Sequence, residues 1–245
     1  MRFNQLSQGL LALVFISVFS FITSCSDEEG TEPKNEEPEV IDIPRDGLVA
    51  FYPYNGNLND ESGVGDSANG GFYGTPKPAE LTSDRYGNLN SAYKIETTNN
   101  LNAYPYDKFA FQGDISIAGW VKPKTSGRII KTLIHWLEFD ESNNNIYGIT
   151  NIYGTYSYTK HELSNTEQWH SVAYTWDNTN KLGVLYVDGE KVSENVAESS
   201  IDGTLGTAIT FGIEGFSGLL DDITIYNKVL SPNEINKFHT QTLTK

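Results

Sequence analysis

The sequence predicts an all-β fold, a two-sheet antiparallel sandwich of the jelly-roll kind with a short C-terminal helix. Three observations support this. Strand-like runs recur with turn residues between them, which is typical of sandwiches and jelly rolls. The chain is rich in Gly, Asn, Thr and Tyr and has few helical windows. The runs are GLVAFYPY, SAYKIET, DISIAGWVK, IIKTLIHWLEF, IYGITNIYGTYSYT, QWHSVAYTW, GVLYVDGEKV, AITFGI and LLDDITIYN.

Two of these runs carry specific strand signals. In DISIAGWVK, the apolar Ile115 and Ile117 alternate with Ser116, as in a strand with one face toward a core. In GVLYVDGEKV, Asp188 and Gly189 stand between two strand halves. An Asp-Gly pair in that position favours a type I′ hairpin turn.

The C-terminal segment has the signals of a helix start. Ser231 is suited to the N-cap, Pro232 to the first helical position and Glu234 to the third, which together make a capping box. Ile235 and Phe238 follow with helical spacing. We expect their side chains to pack on the edge of the sandwich.

The N-terminal part has the layout of an exported protein. Residues Leu10–Ile22 are uncharged and too short to span a bilayer comfortably, so residues 1–24 are predicted to be a signal peptide. Residues 25–46 begin at Cys25 and are rich in Glu, Asp and Pro, which predicts a flexible acidic tether. Residues 47–245 are long enough for one well-filled domain.

The charge and the cysteine content exclude several functions. The 245-residue chain has a formal net charge of -15, which argues against nucleic acid as a partner because nucleic acid needs a basic footprint. If the lone cysteine carries lipid, no thiol remains for a disulfide, a nucleophile or a zinc site. The four histidines show no metal-ligand spacing.

The residues around the cysteine resemble the lipobox of bacterial lipoproteins. The segment Ile22-Thr23-Ser24-Cys25 closes the signal peptide, and the resemblance implies cleavage before Cys25 and acylation of that residue. Two or more acyl chains anchor a protein firmly. The acidic run Asp27-Glu28-Glu29 resembles the export tag of surface lipoproteins in Gram-negative glycan-foraging bacteria, although it also suits an ordinary solvated linker. The expected location is the outer membrane, exposed at the cell surface.

Motifs along the domain resemble the laminin-G-like, concanavalin A-like jelly-roll family of bacterial extracellular proteins. The resemblance implies two stacked, curved antiparallel sheets and a role in binding carbohydrate or protein surfaces. The motifs are, in order, GLVAFYPYNGNLNDESG, DRYGNLNSAYKI, DISIAGWVKP, WHSVAYTWDNTNKLGVLYVDGEKV and GFSGLLDDITIYNKVLSPNEINKFH.

A pair of carboxylates raises the question of sugar hydrolysis. Glu138 and Asp140 alternate along a predicted strand, so both face one side of it. One group of sugar hydrolases with this jelly-roll architecture carries Glu-x-Asp followed by a further Glu two or three residues later, where this chain has Ser142 and Asn143. The resemblance to that group therefore lacks the second catalytic carboxylate. The sequence therefore predicts that the protein is not an enzyme.

Aromatic residues are the candidate ligand-binding groups. Tyrosine and tryptophan suit an interface because each has an apolar body and a polar handle. We expect at least two of the five candidates to line one exposed face or groove, while the alternative is that they fill the core. The candidates are Trp136, Tyr147, Tyr153, Tyr156 and Tyr158.

One aspartate of LLDDITIYN is a candidate metal ligand. Regular alternation would put Asp221 on the same face as Leu219, Ile223 and Ile225, where a carboxylate is costly unless it is paired or bound to a cation. The resemblance implies Asp221 as a ligand of one structural calcium ion, with Asp60 as its expected partner. The alternative is an aspartate that accepts backbone hydrogen bonds without a metal.

Three functions follow in order of preference. The first is a non-catalytic, lipid-anchored glycan-binding module that contacts the membrane only through its anchor. The second is a surface adhesion protein whose sandwich binds another protein. The third is a glycoside hydrolase whose second carboxylate has no sequence signature.

Overall fold

The computed structural model describes residues 43–64, 80–97, 101–103, 113–202 and 209–241. These residues form two packed antiparallel sheets and one C-terminal helix, which confirms the predicted fold class. The signal segment, Cys25 and the tether up to residue 42 lie outside the described residues, so their assignments stay predictions.

The described elements follow the predicted runs closely. Three runs hold two strands each, because the chain turns within IIKTLIHWLEF, IYGITNIYGTYSYT and GVLYVDGEKV, and two short strands at residues 80–82 and 101–103 lie outside the predicted runs. The Asp188-Gly189 hairpin is confirmed, since both residues have the positive φ (51° and 81°) that a type I′ turn requires. The elements are β1 (Leu48–Tyr52), β2 (Glu80–Thr82), β3 (Ala92–Ile95), β4 (Leu101–Ala103), β5 (Ile115–Thr125), β6 (Gly127–Lys131), β7 (His135–Asp140), β8 (Asn145–Ile152), β9 (Thr155–Glu162), β10 (His170–Asp177), β11 (Leu182–Val187), β12 (Glu190–Val196), β13 (Ile209–Ile213), β14 (Ser217–Tyr226) and α1 (Pro232–Gln241).

The larger sheet has eight strands, in the order β12-β11-β10-β5-β14-β3-β2, with β1 also paired to β14. The smaller sheet has six, in the order β4-β13-β6-β7-β8-β9. Strand β14 is central, because β5 pairs with one of its sides while β1 and β3 share the other. Non-consecutive strands are neighbours at the centre of the larger sheet and at β4, β13 and β6 of the smaller one, as in a jelly roll.

The core lies between the two sheets. Alternate residues of each strand point inward, and the aliphatic and aromatic ones are almost fully buried. The aromatic rings of Tyr52 and Phe211 meet edge to face there, with their centroids 5.5 Å apart. This packing comes from both sheets, so neither sheet is stable without the other.

A polar chain crosses this core beneath β7 and β8. Nδ1 of His135 lies 2.9 Å from Oγ1 of Thr150, which lies 2.7 Å from the hydroxyl of Tyr174. Burial lowers the pKa of His135 to about 3, so the imidazole is neutral at physiological pH. Each of these three buried side chains therefore has a hydrogen-bond partner, which avoids the cost of leaving it unsatisfied.

The predicted capping box is confirmed. The backbone N–H of Ser231 donates to Oε2 of Glu234 at 2.8 Å, and the N–H of Glu234 donates to Oγ of Ser231 at 3.3 Å. Ile235 and Phe238 are buried in a cluster on the outer face of the eight-stranded sheet, and the helix also contacts its edge strand β12. Ile43 is buried in the same cluster, although its residue number falls within the segment predicted to be the tether.

The two outer faces of the sandwich differ. Helix α1 packs on the outer face of the larger sheet. No described helix packs on the outer face of the smaller sheet, and large side chains there are exposed. Within the described ranges, no helix combines the length and apolar character needed to cross a membrane.

Close contact between the sheets gives a stability prediction. A Cβ atom at Gly148 would lie 2.1 Å from Cδ2 of the buried Tyr174 ring, which cannot move without repacking the core. We expect Gly148→Ala to lower the free energy of unfolding by about 1–3 kcal/mol, seen as a lower urea midpoint at unchanged m-value. The control is Thr155→Ala, at an exposed position of β9, which should change stability by no more than about 0.5 kcal/mol. Equal midpoints for the two variants would contradict this packing.

Candidate functional site

Three aromatic side chains meet on the outer face of the smaller sheet. Trp136 of β7 stands opposite Ile149 of β8, which stands opposite Tyr158 of β9. The rings of Tyr156 and Tyr158 lie 5.9 Å apart, and Trp136 meets Tyr156 edge to face at 6.0 Å. We call Trp136, Tyr156 and Tyr158 the aromatic surface.

The aromatic surface has an exposed layer and a supporting layer. Tyr156 and Tyr158 are 45% and 52% exposed, whereas Trp136 is only 4% exposed. Trp136 is covered by Tyr156 on one side and by Arg128, whose guanidinium carbon lies 4.6 Å from the ring centroid. A cation over an indole face is an attractive arrangement, so Arg128 helps to fix Trp136 in place.

The expectation that at least two candidate aromatics line one exposed face is confirmed by Tyr156 and Tyr158. Tyr147 is half-buried and lines an adjoining groove. Tyr153 is elsewhere: it occupies the turn between β8 and β9 with a positive φ of 50°. Its hydroxyl donates to the carbonyl of Asp202 at 3.1 Å and accepts from the Asp202 N–H at 2.9 Å. A turn residue has no place in the strand alternation, so Tyr153 does not join the surface.

A groove of about 400 Å³ borders the aromatic surface. It combines two tyrosines, three carboxylates and backbone from two turns, and we call it the carboxylate groove. Its lining residues are Ser126, Gly127, Glu138, Phe139, Asp140, Tyr147, Ile149, Tyr158 and Glu214. The groove and the exposed tyrosines form one continuous candidate site, because Tyr158 belongs to both.

The two carboxylates predicted to share a face are held by different partners. Oε2 of Glu138 accepts from Nε1 of Trp136 at 2.9 Å and lies 3.5 Å from Nε of Arg128. Asp140 accepts from the N–H and Oγ of Ser142 at 3.0 and 2.7 Å, and from the amide of Asn143 at 2.8 Å. The bonds from Ser142, with that from Asn143, hold the pKa of Asp140 below its usual value.

These contacts bear on catalysis. The general acid of a glycoside hydrolase needs a raised pKa, and the hydrogen bonds to Asp140 act in the opposite direction. Ser142 and Asn143 occupy the positions at which a second catalytic carboxylate would be expected. Both donate hydrogen bonds to Asp140. The geometry favours fixed hydrogen-bond acceptors over an acid–base pair.

A second cavity, of about 390 Å³, lies where β3, β14 and β5 meet. Lys94, Lys122 and Lys124 are among its lining residues, and we call it the lysine cavity. Nζ of Lys94 pairs with Glu80 at 3.1 Å and with Glu96 at 2.8 Å. The two cavities are nearly equal in volume, but the described lining of this one contains no aromatic side chain. We therefore place the candidate site at the aromatic surface.

The predicted alternation across Asp221 is wrong. Strand β14 shifts register between Asp221 and Thr224, and Asp222 has a positive φ of 49°. This bulge adds one residue, so Ile223 faces the core while Asp221 stands opposite Trp120 of the outer cluster. Both aspartate side chains are fully buried.

The guanidinium of Arg85 forms ion pairs with both aspartates. Its Nη1 donates to Oδ2 of Asp221, and its Nη2 donates to Oδ2 of Asp222 at 2.8 Å. Burial alone would lower the pKa of Arg85, but the two carboxylates outweigh burial and raise it. The guanidinium carbon also lies 4.4 Å from the centroid of Trp120, so the charge is enclosed on several sides.

This arrangement does not fit a calcium ion at Asp221. Arg85 already supplies the positive charge, and its guanidinium bonds the carboxylate that would have to coordinate the metal. Oδ1 of Asp60 accepts from the N–H groups of Phe51 and Ser62 at 3.2 and 2.9 Å. Within the described ranges, no group of three His, Cys, Asp or Glu residues could hold a metal.

The sequence and the fold also match known proteins. A laminin-G-type family model, described as the concanavalin A-like lectin/glucanases superfamily, matches residues 95–236, which is more than half of the chain. The chain belongs to this superfamily. The match contains all of β5, β14 and the strands β7, β8 and β9 at the aromatic surface. No curated protein has a matching sequence.

Solved structures with a similar fold include toxin binding domains. The binding domain of Paraclostridial mosquitocidal protein 1 superposes with a TM-score of 0.67 at 14% identity, over 82% of this chain and 53% of that one. The botulinum neurotoxin serotype D ligand-binding domain, solved with N-acetylneuraminic acid, gives 0.66 at 19% identity, over 82% and 52%. This chain spans about half the length of these structures. At such identities the likeness concerns the fold.

The arginine gives a prediction about stability. Removing one partner of a buried ion pair leaves the other charge buried and uncompensated. We expect Arg85→Met to lower the free energy of unfolding by about 3–5 kcal/mol, measured by urea denaturation. Adding Asp221→Asn and Asp222→Asn to this variant should restore part of the loss.

The matched control is Lys94→Met, which removes a cation from an exposed pair and should leave the urea midpoint almost unchanged. If the Arg85→Met protein were as stable as the parent, the buried ion pairs would not be what stabilises β14.

Proposed function

We propose that this protein is a non-catalytic carbohydrate-binding module in which a glycan lies across the aromatic surface and the carboxylate groove. The observation that carries the proposal is the exposed pair Tyr156 and Tyr158 beside a groove of hydrogen-bonding groups. Membership in a lectin and glucanase superfamily supports it. So does the structural neighbour that was solved with N-acetylneuraminic acid.

The chemistry of the site suits a sugar ring. One face of a pyranose is apolar and packs on an aromatic ring, while its hydroxyls need hydrogen-bond partners at the edge. Tyr158 offers the ring, and Glu138 and Asp140 offer acceptors in the same groove. Because Trp136 and Arg128 brace Tyr156 from beneath, little ordering is left to occur on binding.

We propose that the protein does not cleave the glycan that it binds. Cleavage of a glycosidic bond needs an acid that delivers a proton to the leaving oxygen. Asp140 is held ionised by Ser142 and Asn143, and Glu138 is bonded to the indole N–H of Trp136. In this proposal both carboxylates accept hydrogen bonds from sugar hydroxyls and leave the glycan intact.

Adhesion to another protein is the second candidate function. The observation that favours it is an apolar cavity of about 240 Å³ whose lining includes Leu133 and Tyr153, which are 50% and 72% exposed. Exposed apolar patches mark protein contacts when they are large. This one is separate from the aromatic surface, so substitutions distinguish the two functions.

The module is further proposed to hang from the outer membrane. Lipid on Cys25 would supply the anchor, and the acidic tether would hold the sandwich away from the bilayer. Such placement suits a protein that captures polysaccharide at the cell surface.

Loss of one exposed ring tests the binding function. We expect Tyr158→Ala to raise the Kd for a glycan that the parent binds by about tenfold or more, since central aromatic contacts dominate binding energy. The measurement is isothermal titration calorimetry with oligosaccharides chosen from a glycan array.

Tyr153→Ala is the matched control, because it removes an equally large exposed tyrosine away from the site. It should leave the Kd unchanged. Binding that depends on Tyr153 and not on Tyr158, or no glycan binding at all, would contradict the proposed site.

The anchor has its own test. In a Gram-negative host, Cys25→Ala should abolish labelling by radioactive palmitate and move the protein from the membrane fraction to the soluble fraction. Ser26→Ala is the control and should stay in the membrane. Degradation by protease added to intact cells would show exposure at the surface. A Cys25→Ala protein that stays labelled and membrane-bound would rule out this anchor.

A further inference from the structure

We infer that the aromatic surface selects uncharged glycans and rejects those that carry carboxylate or sulfate groups. This inference rests on the proposed function and names the class of ligand for that same site. It comes from the distribution of charge along the carboxylate groove, which is the only part of the candidate site where the described side chains form a concave wall.

The lining of the groove is negatively charged. Glu138, Asp140 and Glu214 line it, and no lysine or arginine is among its described lining residues. Asp140 is bonded only to the neutral groups of Ser142 and Asn143, so its charge is not cancelled by a cation. A glycan carboxylate in the groove would stand beside this like charge.

The nearby cations are engaged or displaced from the groove. Nη1 of Arg128 pairs with Glu214 at 2.6 Å, and its Nε lies 3.5 Å from Glu138, while its guanidinium covers Trp136. Lys160 is exposed on β9, directly opposite Tyr147, but it does not line the groove. Lys131 of β6 stands directly opposite Trp136 and also does not line the groove. Within the groove, an anionic ligand that pairs with Arg128 would have to take it from the two carboxylates that already hold it.

Neutral sugars meet no such obstacle. Their hydroxyl groups donate to carboxylate oxygens in charge-assisted hydrogen bonds, which are stronger than bonds between neutral groups. Their apolar faces stack on Tyr158 and Tyr156 without regard to charge. The same three carboxylates that repel an anion therefore favour a polyol.

The lysine cavity is the alternative place for an anionic glycan. It presents Lys94, Lys122 and Lys124, although Lys94 is paired with two glutamates and Nζ of Lys122 lies 3.9 Å from Glu167. It offers no ring for stacking. Binding there would be electrostatic, hence weakened by salt, because charges are screened over about 8 Å at physiological ionic strength.

The test compares neutral glycans with related glycans that carry carboxylate groups. Calorimetry with the purified protein would use lactose against 3′-sialyllactose, and methyl-esterified against free oligogalacturonate, together with neutral gluco-, xylo- and manno-oligosaccharides. Within any matched pair that binds, we expect the neutral member to have a Kd at least about tenfold lower. Its affinity should be insensitive to added salt. Glu214→Gln combined with Asp140→Asn should narrow the ratio of the two Kd values.

The other outcomes distinguish failure of this inference from failure of the proposed function. An anionic member that binds as tightly as its neutral partner, with binding lost in Tyr158→Ala, overturns the inference and leaves the proposed function standing. Anionic binding that survives Tyr158→Ala and is lost in Lys122→Ala with Lys124→Ala overturns both. Failure of every glycan to bind overturns the proposed function itself. A Kd ratio unchanged by the two groove substitutions shows that these carboxylates do not set the selectivity.

Discussion

The structure depends on one guanidinium that forms ion pairs with two buried carboxylates in the central strand. Strand β14 pairs with β5, β3 and β1, and its bulge buries both Asp221 and Asp222. Two uncompensated charges there would cost more than the whole stability of a typical domain allows. Arg85 arrives from the loop between β2 and β3, so it also ties that edge of the larger sheet to its centre.

The position of helix α1 decides which outer face of the sandwich is open to a ligand. The outer face of the larger sheet is closed by α1, which buries Ile235 and Phe238 against it. The outer face of the smaller sheet has no such cover, and Tyr156 and Tyr158 are exposed on it. The uncovered outer face of the smaller sheet is therefore open to a ligand. The exposed rings of Tyr156 and Tyr158 lie on strand β9, so they are held in position before any ligand arrives.

The sequence predicts what depends on short-range periodicity. Alternation correctly places Tyr156 with Tyr158, and Glu138 with Asp140, because strands β7 and β9 are regular. It fails for Asp221, where a bulge changes the parity of β14. Bulges depend on long-range packing as well as on local residues, so a pattern of two aspartates does not reveal one.

Long-range partners are the other limit. Arg85 is 136 residues from Asp221, and nothing in its own segment marks it as buried. The cost of a buried carboxylate indicates that Asp221 needs a partner, but a metal ion, backbone N–H groups and an arginine can each meet that need. Tyr153 was grouped with the other aromatics because its neighbours in sequence are strands. Tyr153 lies in the turn between β8 and β9 with a left-handed backbone conformation. Strand alternation does not predict the direction of a side chain in a turn.

The central claim is that glycans bind to the outer face of β7, β8 and β9. The most direct measurement is a two-dimensional NMR titration of the isotope-labelled protein with a neutral oligosaccharide that it binds. The largest chemical-shift changes are expected at Tyr147, Tyr156, Tyr158 and the turn 141–144. Changes confined to Lys94, Lys122, Lys124 and Ser217, which line the lysine cavity, would contradict it.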